Sequence, residues 1–445
     1  MPQDFSGMTV RTIISGMKFD PGAKFIGSLI EGNDLTDCSF PDADFSRLRS
    51  GQNSGVPELL PEGWKLVEGY ILGPTADLTG CELHNLDLSN IDLSEATFTD
   101  VKSSGLSAVS VRLPPGFKII NGTLIGPGVN LFGFDLQGVN LSDCDLTGVT
   151  SGNLIGEPAS LPVNYFIRSG YLLGPQTSLK NCSISNVDLD GIDLSQANLL
   201  NLMSENLSGL PKRLPPHWIL AANSLLGPRS NIDGKEFAEI DLSGVHCGPY
   251  FGEPSTLPSD WVFEECLLLG PGVNVEGADL SALNLKGKEA FKIVGTPKNL
   301  PTGYALFDGY IIGPRLILHN LELSAIDLSQ VSLEDVKSSG LKFEDVTLPN
   351  NWMLVKGYLV GPKANLSDVD LSHEDLTNLN LASSNLSGAN LAGCKLTGVE
   401  FEGAILTNAN LADAEMDDNV AVRVIGRPAT LPNGFRIESG RLTNR

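Results

Sequence analysis

Long apolar runs, basic residues, histidines and aromatic side chains are all scarce in this 445-residue chain. No apolar run approaches the roughly 18 residues of a membrane-crossing helix, so no membrane span is expected. Lys and Arg number 30 against 53 Asp and Glu, giving a formal charge of −23. That balance argues against direct binding of nucleic acid or anionic lipid. It favours solubility, a protein partner with a basic surface, or mimicry of a polyanion. The five histidines are scattered, and the motifs G-x-x-x-x-G-K-[ST], G-x-S-x-G and H-E-x-x-H are missing. His246 stands beside Cys247 with no partner at ligand spacing. Neither a metal nor another cofactor is expected, and no enzyme. The opening segment "MPQDFSGMTVRTIISGMKFD" has no basic stretch followed by an apolar one, so no signal peptide is visible. The cytoplasm is the default location, with an extracellular filament or surface as the alternative.

What the chain does have is repetition at two superimposed periods. In "ANLSDVDLSHEDLTNLNLASSNLSGANLAGCKLTGVEFEGAILTNANLADAEM" an apolar residue falls at every fifth position, from Leu366 to Met416. Two places before it comes mostly a small or apolar residue, such as Ala364, Val369 or Ala389, and one place before it mostly Asp or Asn. Neither a helical nor a strand period produces this pattern. Five of the seven cysteines (Cys38, Cys81, Cys144, Cys182 and Cys394) hold the small-residue place. They are read as enlarged alanines in a core, which suits a reducing compartment.

The longer period is set by a recurring phrase, "VEGYILGP" at 67–74 and "VKGYLVGP" at 355–362 among its copies. The phrase prolines are Pro74, Pro127, Pro175, Pro228, Pro271, Pro314 and Pro362, with Pro21 in the same place. Each separation equals 28 + 5n, with n running 5, 5, 4, 5, 3, 3 and 4, and the block after Pro362 has n = 11. A fixed 28-residue insert therefore alternates with a variable number of fives. Each insert carries Leu-Pro, an aromatic three residues later, an apolar run, a turn and a second apolar run. In "FKIINGTLIG" the turn is Asn121-Gly122, a strong hairpin signal. The insert is read as a short β-hairpin ended by Gly-Pro. Cys266 replaces the turn glycine in one copy, where a distorted hairpin is expected.

The stretch "GANLAGCKLTGVEFEGAILTNANLADAEM" strongly resembles the pentapeptide-repeat proteins, whose unit is Ala-(Asp/Asn)-Leu-x-x. The inserts resemble a variety punctuated by Leu-Pro-x-Gly-Trp and Gly-Tyr-Leu-Leu-Gly-Pro hairpins. The resemblance implies an all-β fold, a right-handed quadrilateral β-helix with four fives per coil. It implies that Leu366 and Ala364 point inward, while Asp77, Asp87, Asp92, Asp188 and Asp193 project outward. Coils stacked at about 4.8 Å would align like side chains in ladders. Because n is not constant modulo four, two arrangements stay open. Either each insert counts as a fixed number of faces and the hairpins leave from different sides, or the inserts form irregular coils.

The expected organisation is an N-terminal hairpin half-module at 1–21, seven modules over 22–362, an uninterrupted eleven-step run at 363–420, and a C-terminal half-module at 421–445. The expected contact residues are the hairpin aromatics Trp64, Tyr70, Phe117, Tyr171, Trp218, Trp261, Tyr310, Trp352 and Tyr358. A second expected surface is an acidic ladder built on Asp77, Asp87, Asp92, Asp188 and Asp193. The function expected is structural: a subunit that assembles with itself by end-to-end and hairpin contacts. The alternative implied by the resemblance is an acidic DNA mimic that binds a DNA-processing enzyme such as gyrase.

Overall fold

The computed structural model describes residues 2–416 and 423–444, which form strands and turns with no helix among them. The chain divides into two units, Met1–Asn231 and Ile232–Arg445. In each the five-residue step makes one wall and one corner. In "ANLSD" Ala364 and Leu366 are buried while Asn365 between them turns outward, the alternation of a one-sided strand. Ser367 and Asp368 form the corner, and Asp368 takes a positive φ of 60°. That region is open to glycine and tolerated by Asn and Asp, the residue types crowding this place in the repeat. The Asn365 side chain accepts a hydrogen bond from the Ser367 amide at 3.3 Å, bracing the corner it precedes.

Four such steps close a coil. Asn365 pairs in parallel with Asn385, and Asn385 with Ile405, 20 residues further at each level. Among the described residues pairing between ordinary coils has this form, with Lys18 and Ser39, 21 residues apart, as an exception. In the first unit, β1 (Thr9–Val10), β2 (Leu29–Glu31) and β3 (Arg49–Gly51) stack in parallel order. The chain is an all-β solenoid of stacked coils.

Across an insert the register changes from 20 to 28. Lys102 pairs with Asn130, Thr150 with Ser178, His246 with Asn274, Glu289 with Ile317 and Lys337 with Asn365. The insert is therefore one complete coil, with three ordinary walls and a longer fourth. After β4 (Lys65–Val67), β5 (Tyr70–Leu72) and β6 (Glu82–His84), the second insert of the chain shows how. Its first wall is β7 (Lys102–Ser104), parallel to β6, and Ser107 and Arg112 pair back to Asp87 and Asp92. The fourth wall is the antiparallel hairpin of β8 (Lys118–Ile120) and β9 (Thr123–Ile125). Each insert thus counts as four faces, so the hairpin position steps round the coil by n faces between modules. Both open arrangements hold in part: the insert counts a fixed number of faces, and its coil is longer than an ordinary one.

Two expectations are corrected. Residues 2–21 make no hairpin: β1 pairs in parallel with β2, and Asp4 with Lys24, as in any ordinary coil. The phrase "VRTIISGMKFDP" lacks the preceding Leu-Pro and aromatic run that would supply a first strand. The Cys266 hairpin is not distorted either. Glu265 and Cys266 take φ of 49° and 62°, and Val262–Glu264 pairs with Leu267–Leu269 in the usual register. The end of the eleven-step run at 417–420 and residue 445 lie outside the described residues.

Inward side chains build the core of each unit, in successive clusters along the first. Near its start the first unit stacks Phe19 on Phe40 with ring centroids 4.7 Å apart, and sets Phe25 edge-on to Phe45 at 5.5 Å. Leu, Ile and Val take over further along. In the second unit Leu366, Leu386 and Leu406 repeat coil by coil with Ala364, Ala389 and Cys394, all essentially unexposed. Cys38 is as deeply buried as Cys394, whereas Cys81, Cys144 and Cys182 are only half-buried.

Candidate interaction surfaces

The hairpins are tied down onto the coils. Their turns place two consecutive residues at positive φ, as at Glu68-Gly69 (43° and 87°) and Asn121-Gly122 (46° and 72°), the geometry that matches strand twist in a two-residue hairpin. The second strand turns its apolar residues into the core, so that Ile71, Leu72, Leu124 and Ile125 are buried. In five inserts a buried serine of the insert's own first wall anchors it. Ser103 Oγ accepts from the Leu124 amide at 2.8 Å, and Ser50, Ser151, Ser204 and Ser338 do the same for Ile71, Leu172, Leu225 and Leu359. Without such a hydroxyl each amide would stand buried and unpaired, at a cost of about 1–3 kcal/mol. These serines were overlooked in the sequence. They recur eleven places before the Leu-Pro proline, and aligning the inserts would have exposed them.

The aromatic after Leu-Pro explains the glycine of Gly-Pro. A Cβ at Gly73, Gly126, Gly227, Gly270 or Gly361 would lie 2.2 to 2.4 Å from the ring of Trp64, Phe117, Trp218, Trp261 or Trp352. The ring occupies the place of the missing side chain, so these glycines are needed for space. Trp261 is buried, and the other eight expected contact aromatics are half-buried. Trp64 also meets Phe45 edge-on at 5.3 Å, and Phe117 packs against Phe98. Tyr70 and Tyr171 donate their hydroxyls to the carbonyls of Glu82 and Ser183 in the next coil. Tyr310 receives the Lys292 ammonium 5.7 Å from its ring centre, and Tyr358 packs on the core of its unit. These side chains clamp hairpin to coil and offer little free surface for a partner.

The five aspartates do project outward, but they do not form a ladder of acids. Each braces its own corner, with Oδ1 accepting from the amide two residues on: Thr79, Ser89, Ser94, Asp190 and Ser195. The residue stacked 20 places further is Thr97, Ser107, Arg112, Ser208 or Arg213. Thr97 and Ser107 donate hydroxyls to Asp77 and Asp87, and the Arg112 and Arg213 guanidinium groups lie 3.4 and 3.6 Å from Asp92 and Asp193. The hydroxyl and amide of Ser89 hold the Asp87 carboxyl below the usual range, and those of Ser94 do so for Asp92. The Ser195 amide and hydroxyl lower Asp193 in the same way. Burial pushes Asp77 up, but bonds from Thr79 and Thr97 and the Arg49 charge outweigh it, and the net direction is down. Hydrogen bonding to the charged form is the common cause.

His84 and His319 occupy matching places, each with Nδ1 on the serine hydroxyl stacked above it. No grouping of three metal-binding side chains occurs among the described residues, and no helix there is long and apolar enough to cross a membrane. Exposed apolar side chains are spread along the chain, Val56, Val163 and Leu210 among them, and three lie in the first coil, where Met8, Ile14 and Met17 are 53, 67 and 38% exposed.

Residues 76–102, 363–399 and 384–418 match the family model described as pentapeptide repeats, in 8 copies. Those segments are pentapeptide repeats, and coils of the same register carry them in both units. Among solved structures the chain is similar to HetL, a pentapeptide repeat protein involved in heterocyst differentiation regulation from the cyanobacterium Nostoc sp. strain PCC 7120. Identity is 15% over 91% of this chain and 86% of that one, with a TM-score of 0.12. It is also similar to full-length QnrB1, a plasmid-mediated fluoroquinolone resistance protein, at 10% identity over 92% of each chain and a TM-score of 0.09. Superpositions that weak add nothing to the coil geometry above. No curated protein matches the chain.

Proposed function

We propose that this pentapeptide-repeat β-solenoid is a non-enzymatic interaction protein that assembles with copies of itself. The observation that carries the reading is the first coil. Met8, Ile14 and Met17 stand exposed beside its strand β1, which pairs in parallel with β2. Exposed apolar side chains favour being covered by a partner surface. If the covering surface is a different patch of a second copy, the contact is heterologous and propagates into filaments. The hairpins contribute less than their number promises, since they fold back onto their own coils. Sedimentation velocity and electron microscopy of the full chain over a wide concentration range test this. Assembly that grows with concentration, and is lost in Ile14→Glu, is expected. Monomers alone at the highest concentration overturn it.

The formal charge of −23 favours a second reading, an acidic DNA mimic that engages a protein with a basic groove such as gyrase. Corner acids neutralised by stacked Arg112 and Arg213 count against a continuous negative face. Inhibition of gyrase that competing DNA relieves would support it, and inhibition indifferent to DNA, or none, would remove it.

A further inference from the structure

Two neighbouring inserts lack the anchoring serine: Cys247 and Ala290 hold its place, and the Leu268 amide donates instead to the Cys247 carbonyl at 2.7 Å. The insert after Leu285 reads Glu289-Ala290-Phe291-Lys292-Ile293, where two others read Lys102-Ser103-Ser104-Gly105-Leu106 and Lys337-Ser338-Ser339-Gly340-Leu341. Against those two, Ala290 replaces the anchoring serine and Phe291 a second serine. Both substitutions make the site more apolar, and both line one cavity. Its volume is 510 Å³, and its walls come from Val262 and Leu269 of one hairpin, Ile311 of the next, and Leu285, Phe291 and Leu316 of the coils between them. Three fives separate these two hairpins, a spacing shared with the pair before them, and residues of both line the same hollow.

We propose that this cavity is a binding site for a small uncharged apolar molecule, a ring compound with at most one polar end. The volume lies in the range of small-molecule sites, and such sites are mostly apolar with a few polar groups to orient the ligand. Those groups are here at the margin: Ser259, Asp260, Lys288 and Glu289. With charges of both signs there, a strongly anionic or cationic ligand gains no consistent attraction, whereas an uncharged one avoids the desolvation cost. Ser103 and Ser338 in the equivalent inserts show that a hydroxyl fits the fold at this place. The inference is independent of self-assembly, since it concerns residues far along the sequence from the first coil.

The test is a fluorescence titration of the full chain with the neutral probe N-phenyl-1-naphthylamine. Wild-type protein should bind saturably at one site. Ala290→Leu, which fills the cavity, should weaken binding about tenfold or more, as the displaced apolar contact predicts, with the thermal midpoint held or raised. Phe291→Ser installs the residue found at Ser104 and Ser339, so it should fold and also bind less. Non-saturable binding by the wild type, or both folded variants binding as tightly as wild type, overturns the proposal.

Discussion

Phe401→Ala is expected to lower the free energy of unfolding of the second unit by about 3–5 kcal/mol, the range for deleting a fully buried aromatic ring. Phe401 is unexposed and sits in the continuous file that includes Leu381, Leu386, Leu396 and Leu406. In a globular core neighbouring side chains arrive from many directions and collapse part of the way into a hole. Here each inward residue is fixed by a wall only five residues long, and each wall is hydrogen-bonded to the coils beside it. Phe401 lies beside Glu400, paired with Asn380, and the Leu381 amide donates to the Glu400 carbonyl at 2.8 Å. Relaxation into the cavity would break these ladders, so the full cost is expected. Denaturant unfolding followed by circular dichroism measures it. Because stability in stacked repeats is a sum of local terms, hydrogen exchange should place the loss around residues 381–411. A change below 1 kcal/mol would mean that the core is not as tightly held as its burial implies.

The second large effect concerns the glycine of the Gly-Pro phrase. Gly361→Ala puts a Cβ 2.4 Å from Cδ2 of Trp352, well inside any real contact. The indole must leave its seat or the hairpin must lift, and overpacking of this kind costs about 1–3 kcal/mol. Trp352→Ala removes the ring and is destabilising for the opposite reason, lost burial. In the double variant the new methyl meets empty space. Its stability should therefore lie close to that of Trp352→Ala, a coupling that a double-mutant cycle reads directly. Simple addition of the two single effects would show that ring and glycine do not share the space.

The five-residue rule and its insert were legible because they rest on solvent contrast and on turn chemistry, both written in local sequence. Leu366 to Leu411 alternate with corner residues whose positive φ favours Gly, Asn or Asp, His373 and Ser383 being departures, and Asn121-Gly122 announces its hairpin. What an insert does with the remaining walls was not legible. At Lys102, Ser107 and Arg112 the chain continues round the coil, yet "VKSSGLSAVSVRLP" has lost the regular leucines that mark a wall. Only the hydrogen-bond partners show that a wall is there. The packing of the aromatics was not legible either, because size and position in a loop are shared by contact residues and by lids over glycine. The acids could have been read better. Their neighbours across the stack are 20 residues away, and at that spacing Asp77, Asp87 and Asp92 face Thr97, Ser107 and Arg112.

The central claim is that an insert is one coil of 28 residues, so that Lys337 stacks under Asn365 as directly as Asn365 does under Asn385. Adjacent strands lie about 4.8 Å apart, within the Cα separation of about 4.4–6.8 Å that a disulfide spans. In protein whose native cysteines are replaced by alanine, the pairs Lys337→Cys with Asn365→Cys and Asn365→Cys with Asn385→Cys should both oxidise readily. Rapid cross-linking of the second pair with none of the first would contradict the account.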